Sequence, residues 1–570
     1  MTSSTFNSWL SDFFLSYYKN RPVNATFIGI HAYDHELPRL DRANLGNLTS
    51  EMEDLLERLE RESPSQLSEY ELLKSSSWPE GMDRLQAGNF LKIQLAELES
   101  KHFLSNPATY TGEAIFSVIS LFLRDFAPLS ERVKAAISRM NTIPDFLEQS
   151  KANLRAAPGE WTAKAIRECT GAILFLKNGI SIMMNQLRIT SPGLRSAAEH
   201  ALSAFREYQI YLSKELALQD TASYASEAPF YDLLIQNGHC IGMNASEVAE
   251  YGLIRLSELQ EEIRREARKI SQDGDYSKIL AQMDDHHPPI EGYLQTFQDC
   301  WSDCRRTTEE KRLLTWPDYP IHYKFIPVYF REAAPLLYFL PYRSPSAFDN
   351  IGIHEYLVTP IDSSMSSEQQ ERLLRASNYA SIKLNHVVHH GGIGHHIQNH
   401  YAYHSASCIG QIAAVDCAYR IAMFSGGTMA EGWACYAVDL MSEANFYTKE
   451  ERIARINSKI RQAARAVVDS KIHSGEFSFS DAVEFYTSQA RMTPDAAHKE
   501  VVKDSMYPGT AAMYLLGSDM IHKMRRKLME RERTFDLMSF HNRLLSYGSI
   551  PVALIARTMF GEEIPLEANN

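Results

Sequence analysis

Cysteine is scarce in this sequence, and the cysteines that are present form no recognisable pattern. There are seven in 570 residues, and no two of them stand in a Cys-x-x-Cys pair. Disulfide frameworks and zinc ribbons depend on such closely spaced pairs, so neither is predicted. The basic flank and apolar run of a secretory signal are also missing at the start, and we therefore expect a cytoplasmic protein.

Long apolar runs and blocks of basic residues are missing as well. A membrane-spanning helix needs roughly 20 predominantly apolar residues, and no stretch approaches that length. The chain carries 58 Lys+Arg against 71 Asp+Glu, a formal net charge of −13, without a dense cluster of positive charge. We therefore expect neither a membrane nor a nucleic acid as partner. No pattern specifies an oligomeric state.

Composition and apolar periodicity predict a mainly α-helical protein. With 44% hydrophobic and 23% charged residues, the chain has the composition of a soluble globular protein. Apolar residues recur at intervals of three and four, for example at Met52, Leu55, Leu56 and Leu59. This spacing places them on one face of a helix, which the fold can bury.

One segment departs from the helical pattern and divides the chain. Pro, Tyr, Phe and Ile dominate residues 315–361, which predicts a small β-sheet beside the active cleft. We therefore expect a helical N-terminal lobe at 1–310, a β-rich cleft segment at 311–365 and a helical catalytic lobe at 366–570.

Histidine is concentrated in one short stretch. Six of the 20 histidines fall between positions 389 and 404, with Gly391, Gly392 and Gly394 among them. Neutral imidazole is the commonest protein ligand of borderline transition metals, so the cluster favours Zn, Fe, Mn or Ni over Mg or Ca. The residues before it have helical composition, and the glycines allow a bulge or break that re-aims the later histidines. The cluster predicts a metal site.

The spacing differs from the simple zincin helix, in which two histidines stand four residues apart with a glutamate after the first. Position i+4 from His389 is Ile393, whereas His396 and His400 have this spacing and share a helical face. Glu431 follows among apolar and aromatic neighbours, as is typical of a third ligand from a later helix. The alternative for each of these residues taken alone is an ordinary core or surface position.

Two later elements offer further polar candidates. Arg465, Asp469 and His473 stand four residues apart on one face of a predicted helix, where an exposed row of salt bridges is the simpler interpretation. Tyr514 follows a Pro-Gly pair at the start of another helix. A phenol there either donates a hydrogen bond to a developing oxyanion or packs in the core.

Together these motifs resemble the bacterial family known as domain of unknown function 885, a branch of the zincin-like metallopeptidases. The family pattern has His-Glu-x-x-Pro-Gly-His-His-x-Gln at 389–398 and Glu-Gly-Trp-Ala-x-Tyr at 431–436. The remaining motifs follow in the same order: Arg-x-x-x-Asp-x-x-x-His at 465–473, Pro-Gly before Tyr514 and Gly517, and a closing Phe-His at 540–541. An N-terminal signature at 22–31 precedes them. The resemblance spans nearly the whole chain and implies a large, mainly α-helical zincin-like metallopeptidase fold with a deep cleft.

The resemblance implies a metal site with two imidazole ligands and one carboxylate. His389, His395 and Glu431 would bind one divalent ion, with zinc as the first expectation and iron or manganese as alternatives. His396 is the rival of His395, because i+7 returns to nearly the same helical face.

The other motif residues are expected to act on the substrate, for which the resemblance implies a small molecule or short peptide. The expected catalytic residues are His390, Tyr514 and His473, and the expected substrate contacts are Arg465, Asp469 and His396. His390 stands where the family has its general-base glutamate, Ile393 replaces a proline, and Thr510 replaces a glutamine. Imidazole accepts a proton near neutral pH, but its reach and charge differ from those of a carboxylate.

Three functions are compatible with these residues. The first is a metal-dependent hydrolase acting on a small amide, peptide or acyl-amino-acid, with His390 as the base. The second is a repurposed metalloenzyme of a specialised biosynthetic pathway (a lyase, cyclase or oxidative enzyme), dependent on iron or manganese. The third is an inactive pseudo-peptidase that serves as a binding protein, although the histidines have multiplied rather than disappeared.

Overall fold

The structure is a computed structural model that describes residues 3–61, 73, 78–219, 223–337, 341–349, 353–412 and 421–566. It is mainly α-helical, as the apolar periodicity predicts. Within these ranges no helix is both long enough and apolar enough to cross a bilayer. Six cysteines are described, and all six are free thiols.

Helices in the first half of the chain bury one apolar face. In Arg42–Arg61, Met52, Leu55 and Leu59 are buried while Glu53 is exposed. The α-helices here are Ser3–Asn20, Pro22–Ile28, Arg42–Arg61, Trp78–Ser100, Pro107–Ile119, Leu129–Asn153, Gly159–Leu174, Ile180–Gln186, Pro192–Lys214, Ala228–Leu233, Ala245–Ala267, Tyr276–Asp284 and Tyr293–Glu310. Short π-helices are Phe175–Gly179 and Leu234–Gly238, and 3-10 helices are His31–Tyr33, Ser120–Phe122, Leu216–Gln219 and Ile290–Gly292.

Helices resume after a short β segment. The further α-helices are Val328–Arg331, Ser367–Ala376, Tyr379–Ser381, His395–Tyr403, Cys408–Ile412, Ile421–Glu443, Lys449–His473, Phe479–Gln489, Pro494–Met506, Met513–Arg531, Leu537–Ser546 and Val552–Phe560, with a 3-10 helix at Ala334–Leu336. Four segments are named below: the histidine π-helix (Ile382–Gly391), the glutamate helix (Ile421–Glu443), the arginine helix (Lys449–His473) and the tyrosine helix (Met513–Arg531).

Two short strands form the small sheet expected between residues 315 and 361. Strand β1 (Ile321–Phe325) pairs in parallel with β2 (His354–Val358), so that Tyr323 lies opposite Tyr356. Both tyrosines are buried, and the Tyr356 hydroxyl lies 2.7 Å from Nδ1 of His386 on the histidine π-helix. The sheet therefore supports the back of the segment that carries the histidine cluster.

The hydrophobic core is divided at a different place from the expected lobes. One cluster is built mostly from residues 6–216 and the other mostly from residues 231–564. The helix Ala245–Ala267 packs along the arginine helix, and Gly252 allows the close approach: a Cβ atom there would lie 2.8 Å from Cγ2 of Val467. Helices from residue 228 onward thus pack with the C-terminal half, although the sequence assigns them to the N-terminal lobe.

Two motif glycines allow the glutamate and tyrosine helices to cross in close contact. A Cβ atom at Gly432 would lie 2.6 Å from Cα of Gly517, and one at Gly517 would lie 2.1 Å from the carbonyl oxygen of Thr428. Both distances are far inside van der Waals contact, so a larger residue fits at neither position. The crossing joins the helix that carries Glu431 to the helix that carries Tyr514.

Replacing Gly517 with Ala is expected to destabilise the protein. The added methyl group would clash with backbone atoms of Thr428, and overpacking of this kind costs about 1–3 kcal/mol or more. Denaturant unfolding followed by circular dichroism measures the change. Gly46→Ala is the matched control, because Gly46 lies in a helix with no atom within 4 Å of the added Cβ. That variant should gain up to about 1 kcal/mol. Equal effects of the two substitutions would contradict the crossing.

Candidate metal centre

The histidine cluster lies at the end of an unusual helix. The histidine π-helix ends where the backbone N–H of Gly392 donates to the carbonyl oxygen of Val387, at 2.7 Å. After this break the helix His395–Tyr403 begins at once. π-helical turns are rare and are frequent at functional sites. This break changes the direction of the chain before the later histidines, as the glycines predict.

Glycine is required at this break for steric reasons. A Cβ atom at Gly394 would lie 2.0 Å from the carbonyl oxygen of His389, and one at Gly391 would lie 2.2 Å from the hydroxyl oxygen of Tyr323. Neither the backbone of the π-helix nor the buried ring can move away from such a contact. The two glycines therefore determine how closely the helix His395–Tyr403 approaches the histidine π-helix.

Two buried tryptophans hold the break in place. The indole N–H of Trp301 donates to the carbonyl oxygen of Gly391, and that of Trp433 donates to Ile393, each at 2.9 Å. Carbonyl groups at the end of a helix lack partners within the helix, so these indoles satisfy groups that would otherwise be buried without a hydrogen bond. Trp433 also follows Glu431 on the glutamate helix, which ties the carboxylate to the break.

The break and the glutamate helix bring two imidazoles to one carboxylate. Nε2 of His389 and Nε2 of His395 each lie 3.3 Å from Oε2 of Glu431. The two imidazole rings are perpendicular, with centroids 4.8 Å apart. Oε2 of Glu431 is buried and has no hydrogen-bond partner of good geometry among the residues described. An acceptor oxygen without a donor, facing two ring nitrogens, is an arrangement that a cation would complete.

The charge states suit cation binding. Burial lowers the pKa of His389, and the neighbouring Glu431 opposes this change without cancelling it. Burial raises the pKa of Glu431, but the imidazoles of His395 and His389 hold it well below its ordinary value. A neutral imidazole and an ionised carboxylate are the forms that bind metal ions.

His390 lies beside this group with a defined ring orientation. Its Nδ1–H donates to the carbonyl oxygen of Asn385 at 2.8 Å, which leaves Nε2 as an acceptor. Burial, together with His389 and His395, holds its pKa well below the ordinary value. One ring nitrogen from each of these three histidines lies within 4.8 Å of the others. His390 is therefore close enough either to accept a proton at the site or to join the ligand set.

A cavity of about 570 Å³ opens beside these residues. His389, His390 and Glu431 line one wall, and Tyr514 from the tyrosine helix lies among the lining residues. The guanidinium carbon of Arg465 lies 4.9 Å from the centroid of the Tyr514 ring. The β segment at 315–361 contributes none of the lining residues within its described part, so the sheet lies behind the histidines rather than along the cavity.

The arginine helix forms a basic wall of the cavity. Arg455 and Lys459 both bind Asp439, with nitrogen–oxygen distances of 2.6 Å. Arg465 binds Glu500 at 2.7 Å. Burial lowers the pKa of Arg465, but Glu500 and Tyr514 hold it well above its ordinary value, so the guanidinium stays charged.

The structure separates His396 from the carboxylate. Its Nε2–H donates to the carbonyl oxygen of Tyr319 at 3.0 Å, and its ring stacks on the Tyr319 ring with centroids 4.5 Å apart. His396 is fully buried and does not line the cavity. The glycine break aims His395 rather than His396 at Glu431, so the structure brings His396 neither to the carboxylate nor to the cavity lining.

Asp469 and His473 are also placed outside the cavity lining. Asp469 accepts the backbone N–H groups of Gly509 and Ala512, at 3.1 and 2.9 Å, and so anchors the turn before the tyrosine helix. His473 donates to the carbonyl oxygen of Asp504 and accepts from the N–H of Ser226. Both side chains are fully buried. The structure thus places both side chains on backbone groups outside the cavity lining, and of the three motif residues Arg465 alone lines the cavity.

Among the lining residues that had not been identified as site residues from the sequence are Cys435, Asp439 and Arg461. Cys435 stands four residues after Glu431, a spacing that would have placed it on the same helical face. Arg461 precedes Arg465 by four residues, so Arg465 of the motif already indicated the helical face on which Arg461 lies. Asp439 belongs to the same helix, but only the folded structure shows which cations it neutralises.

Replacing Trp433 with Phe is expected to destabilise the protein by about 1–3 kcal/mol, because the buried carbonyl group of Ile393 loses its donor. Trp316→Phe is the matched control, since the Trp316 indole N–H is buried without a partner in the described part of the chain. That variant loses ring area but no hydrogen bond. Thermal and denaturant unfolding compare the two. A smaller loss for Trp433→Phe than for Trp316→Phe would contradict the assigned role.

Comparison with known proteins extends the resemblance carried by the motifs. Residues 22–559 match the family described as "Bacterial protein of unknown function (DUF885)". A candidate lipoprotein of unknown function from Shewanella oneidensis has a similar structure, with TM-score 0.76, 20% identity, and coverage of 97% of this chain and 99% of that chain. A candidate lipoprotein from Colwellia psychrerythraea follows with TM-score 0.74, 15% identity, and coverage of 97% and 98%.

These identities are low, so the likeness of the solved structures shows the fold alone. No curated protein matches the chain. The family match spans all the motifs from the N-terminal signature to the tyrosine helix and beyond. The chain therefore belongs to the DUF885 family of bacterial proteins of unknown function.

Proposed function

We propose that this protein is a metal-dependent hydrolase on a zincin-like scaffold, acting on a small amide, peptide or acyl-amino-acid in the cavity. One observation carries the proposal: among the described residues, the buried Oε2 of Glu431 has no hydrogen-bond donor of good geometry, and it faces two imidazole nitrogens at 3.3 Å. Without a cation, a buried carboxylate oxygen in that position is unfavourable. The position of the group on the wall of a cavity makes it accessible to substrate.

The donor set fits a divalent transition metal. His389, His395 and Glu431 are the two-histidine, one-carboxylate set of many catalytic zinc sites, and zinc is the metal that we propose first. When bound, such an ion supplies a Lewis acid and lowers the pKa of water at the site. The hydrogen bond from the Trp433 indole to the Ile393 carbonyl holds the histidines and the carboxylate in their relative positions.

Two residues of the chain would then carry out proton transfer and charge stabilisation. His390 directs Nε2 as an acceptor, because its Nδ1–H is committed to Asn385, and it would take the proton of the attacking water in place of the family's glutamate. Tyr514 would donate its hydroxyl to the developing oxyanion. Arg465 stacks on the Tyr514 ring and is itself fixed by Glu500, which restricts the position of the phenol.

A second function is favoured by the position of His390. Because its ring nitrogen lies within 4.8 Å of those of His389 and His395, it could join them as a third imidazole ligand. Such a site tolerates iron or manganese and suits a lyase, cyclase or oxidative enzyme of a specialised pathway. The metal in the purified protein distinguishes the two functions, since iron favours the second and tightly held zinc the first.

Protein purified without chelator is expected to contain a bound divalent metal ion, and His389→Ala is expected to lose it. Removing one of three protein ligands leaves too few donors to hold the ion. Inductively coupled plasma mass spectrometry measures the content. His404→Ala, which alters an exposed histidine of the same run, is the control and should keep the metal.

His396→Ala should also keep the metal, because the His396 ring is bound to Tyr319. Metal that persists in His389→Ala but disappears in His396→Ala would reject the ligand assignment. An apo wild-type protein that takes up no zinc, iron or manganese would reject both proposed functions.

His390→Gln is expected to lower kcat/KM by about 10²- to 10⁴-fold with the metal retained, because glutamine cannot accept the proton. Release of the amine product from a panel of dipeptides and N-acetyl amino acids measures the rate. His390→Glu, which restores the family's carboxylate, should be the more active of the two variants. An unchanged rate in His390→Gln would show that His390 is not the base.

A further inference from the structure

Among the described residues, Arg461 is the cation of the cavity lining that has no ion-pair partner. It lies on the arginine helix and lines the same cavity as His389 and Glu431. Its side chain is exposed, and it forms no hydrogen bond or ion pair with any residue in the described ranges. A guanidinium has five N–H donors, and here all of them are available to a ligand.

The neighbouring cations are already neutralised. Arg455 binds Glu262 and Asp439, Lys459 binds Asp439, and Arg465 binds Glu500. These pairs leave Arg461 as the uncompensated charge of the basic wall.

Two carboxylates face Arg461 from neighbouring helices without binding it. Asp284 accepts a hydrogen bond from the amide of Asn378 at 2.9 Å, and Glu500 is held by Arg465. Both act on Arg461 electrostatically, but neither lies within ion-pair distance. Among the described residues, Arg461 is thus the lining cation without a carboxylate at ion-pair distance. Its guanidinium therefore favours an anionic ligand.

The position of Arg461 on the arginine helix relates that anion to the proposed oxyanion donor. Arg461 precedes Arg465 by four residues, which is roughly 6 Å along a helix. Arg465 stacks on Tyr514, the proposed oxyanion donor. One residue of extended chain spans about 3.3–3.6 Å, so this offset corresponds to one or two residues. Leu280, Met283 and Leu384 line the cavity as an apolar surface for a side chain.

We propose that Arg461 binds the free carboxylate of the substrate, so that the substrate class is N-acyl amino acids and short peptides with a free C-terminus. The planar guanidinium binds a carboxylate through two parallel hydrogen bonds. The reacting amide would lie one or two residues from that carboxylate. The reaction assigned to this substrate rests on the proposed function, but the carboxylate site can be tested by binding alone.

Isothermal titration calorimetry on the full chain, purified without chelator, compares N-acetyl-L-leucine with N-acetyl-L-leucinamide. The wild-type protein is expected to bind the acid roughly tenfold or more tightly than the amide. Arg461→Gln should lose this preference, and Arg461→Lys should keep part of it, because lysine retains the charge without the paired donors. Arg452→Gln is the control, since Arg452 lies on the same helix, bonds to Asn445 and does not line the cavity.

The carboxylate of the probe could instead bind at the metal centre, and His389→Ala separates the two sites. If Arg461 is the anchor, His389→Ala keeps the preference for the acid. A preference that His389→Ala removes and Arg461→Gln leaves intact would overturn the inference. Equal affinity of the wild-type protein for acid and amide, or no measurable binding of the acid at millimolar concentration, would also overturn it. An Arg461-dependent preference in a protein that hydrolyses no acyl amino acid would uphold the carboxylate site and reject the proposed function.

Discussion

The candidate metal centre depends on two indole hydrogen bonds that hold a break between helices. Trp301 and Trp433 donate to carbonyl groups that the end of the histidine π-helix leaves without partners. Because Trp433 also belongs to the glutamate helix, the same bond that holds the break positions Glu431. Two histidines six residues apart in the chain therefore meet one carboxylate from a distant helix. A continuous helix would turn these imidazoles in different directions.

Most motif residues of this protein support the site from outside it. Gly432 and Gly517 allow the helix crossing, Asp469 anchors the turn before the tyrosine helix, and His473 binds backbone groups. His541, from the closing Phe-His pair, donates to the carbonyl oxygen of Leu313 and accepts from the Tyr436 hydroxyl. The motifs thus describe a way of fixing three or four helices around a cavity, and only part of each motif faces the cavity.

The electrostatics of the cavity connect the two proposals. In the proposed function, His390 takes the place of a general-base glutamate, so that its neutral imidazole would remove one negative charge, and Arg461 contributes a positive charge that no carboxylate of the described chain pairs with. Both features make the cavity more attractive to an anion. In this view, the His390 replacement changes the charge that the substrate meets as well as the identity of the base.

The sequence by itself determined the helical class, the small sheet, the family and the expectation that His389, Glu431 and one of two later histidines form a group, because these follow from periodicity, composition and ordered motifs. Only the tertiary structure decided that His395 rather than His396 faces Glu431, since spacing predicts direction only within an unbroken helix. It also decided that Asp469 and His473 anchor backbone, that helices from residue 228 join the C-terminal core, and that Arg461 stays unpaired among its neighbours. Each of these outcomes depends on which groups distant helices bring within a few ångströms, and the distance between residues along the chain carries no information about that.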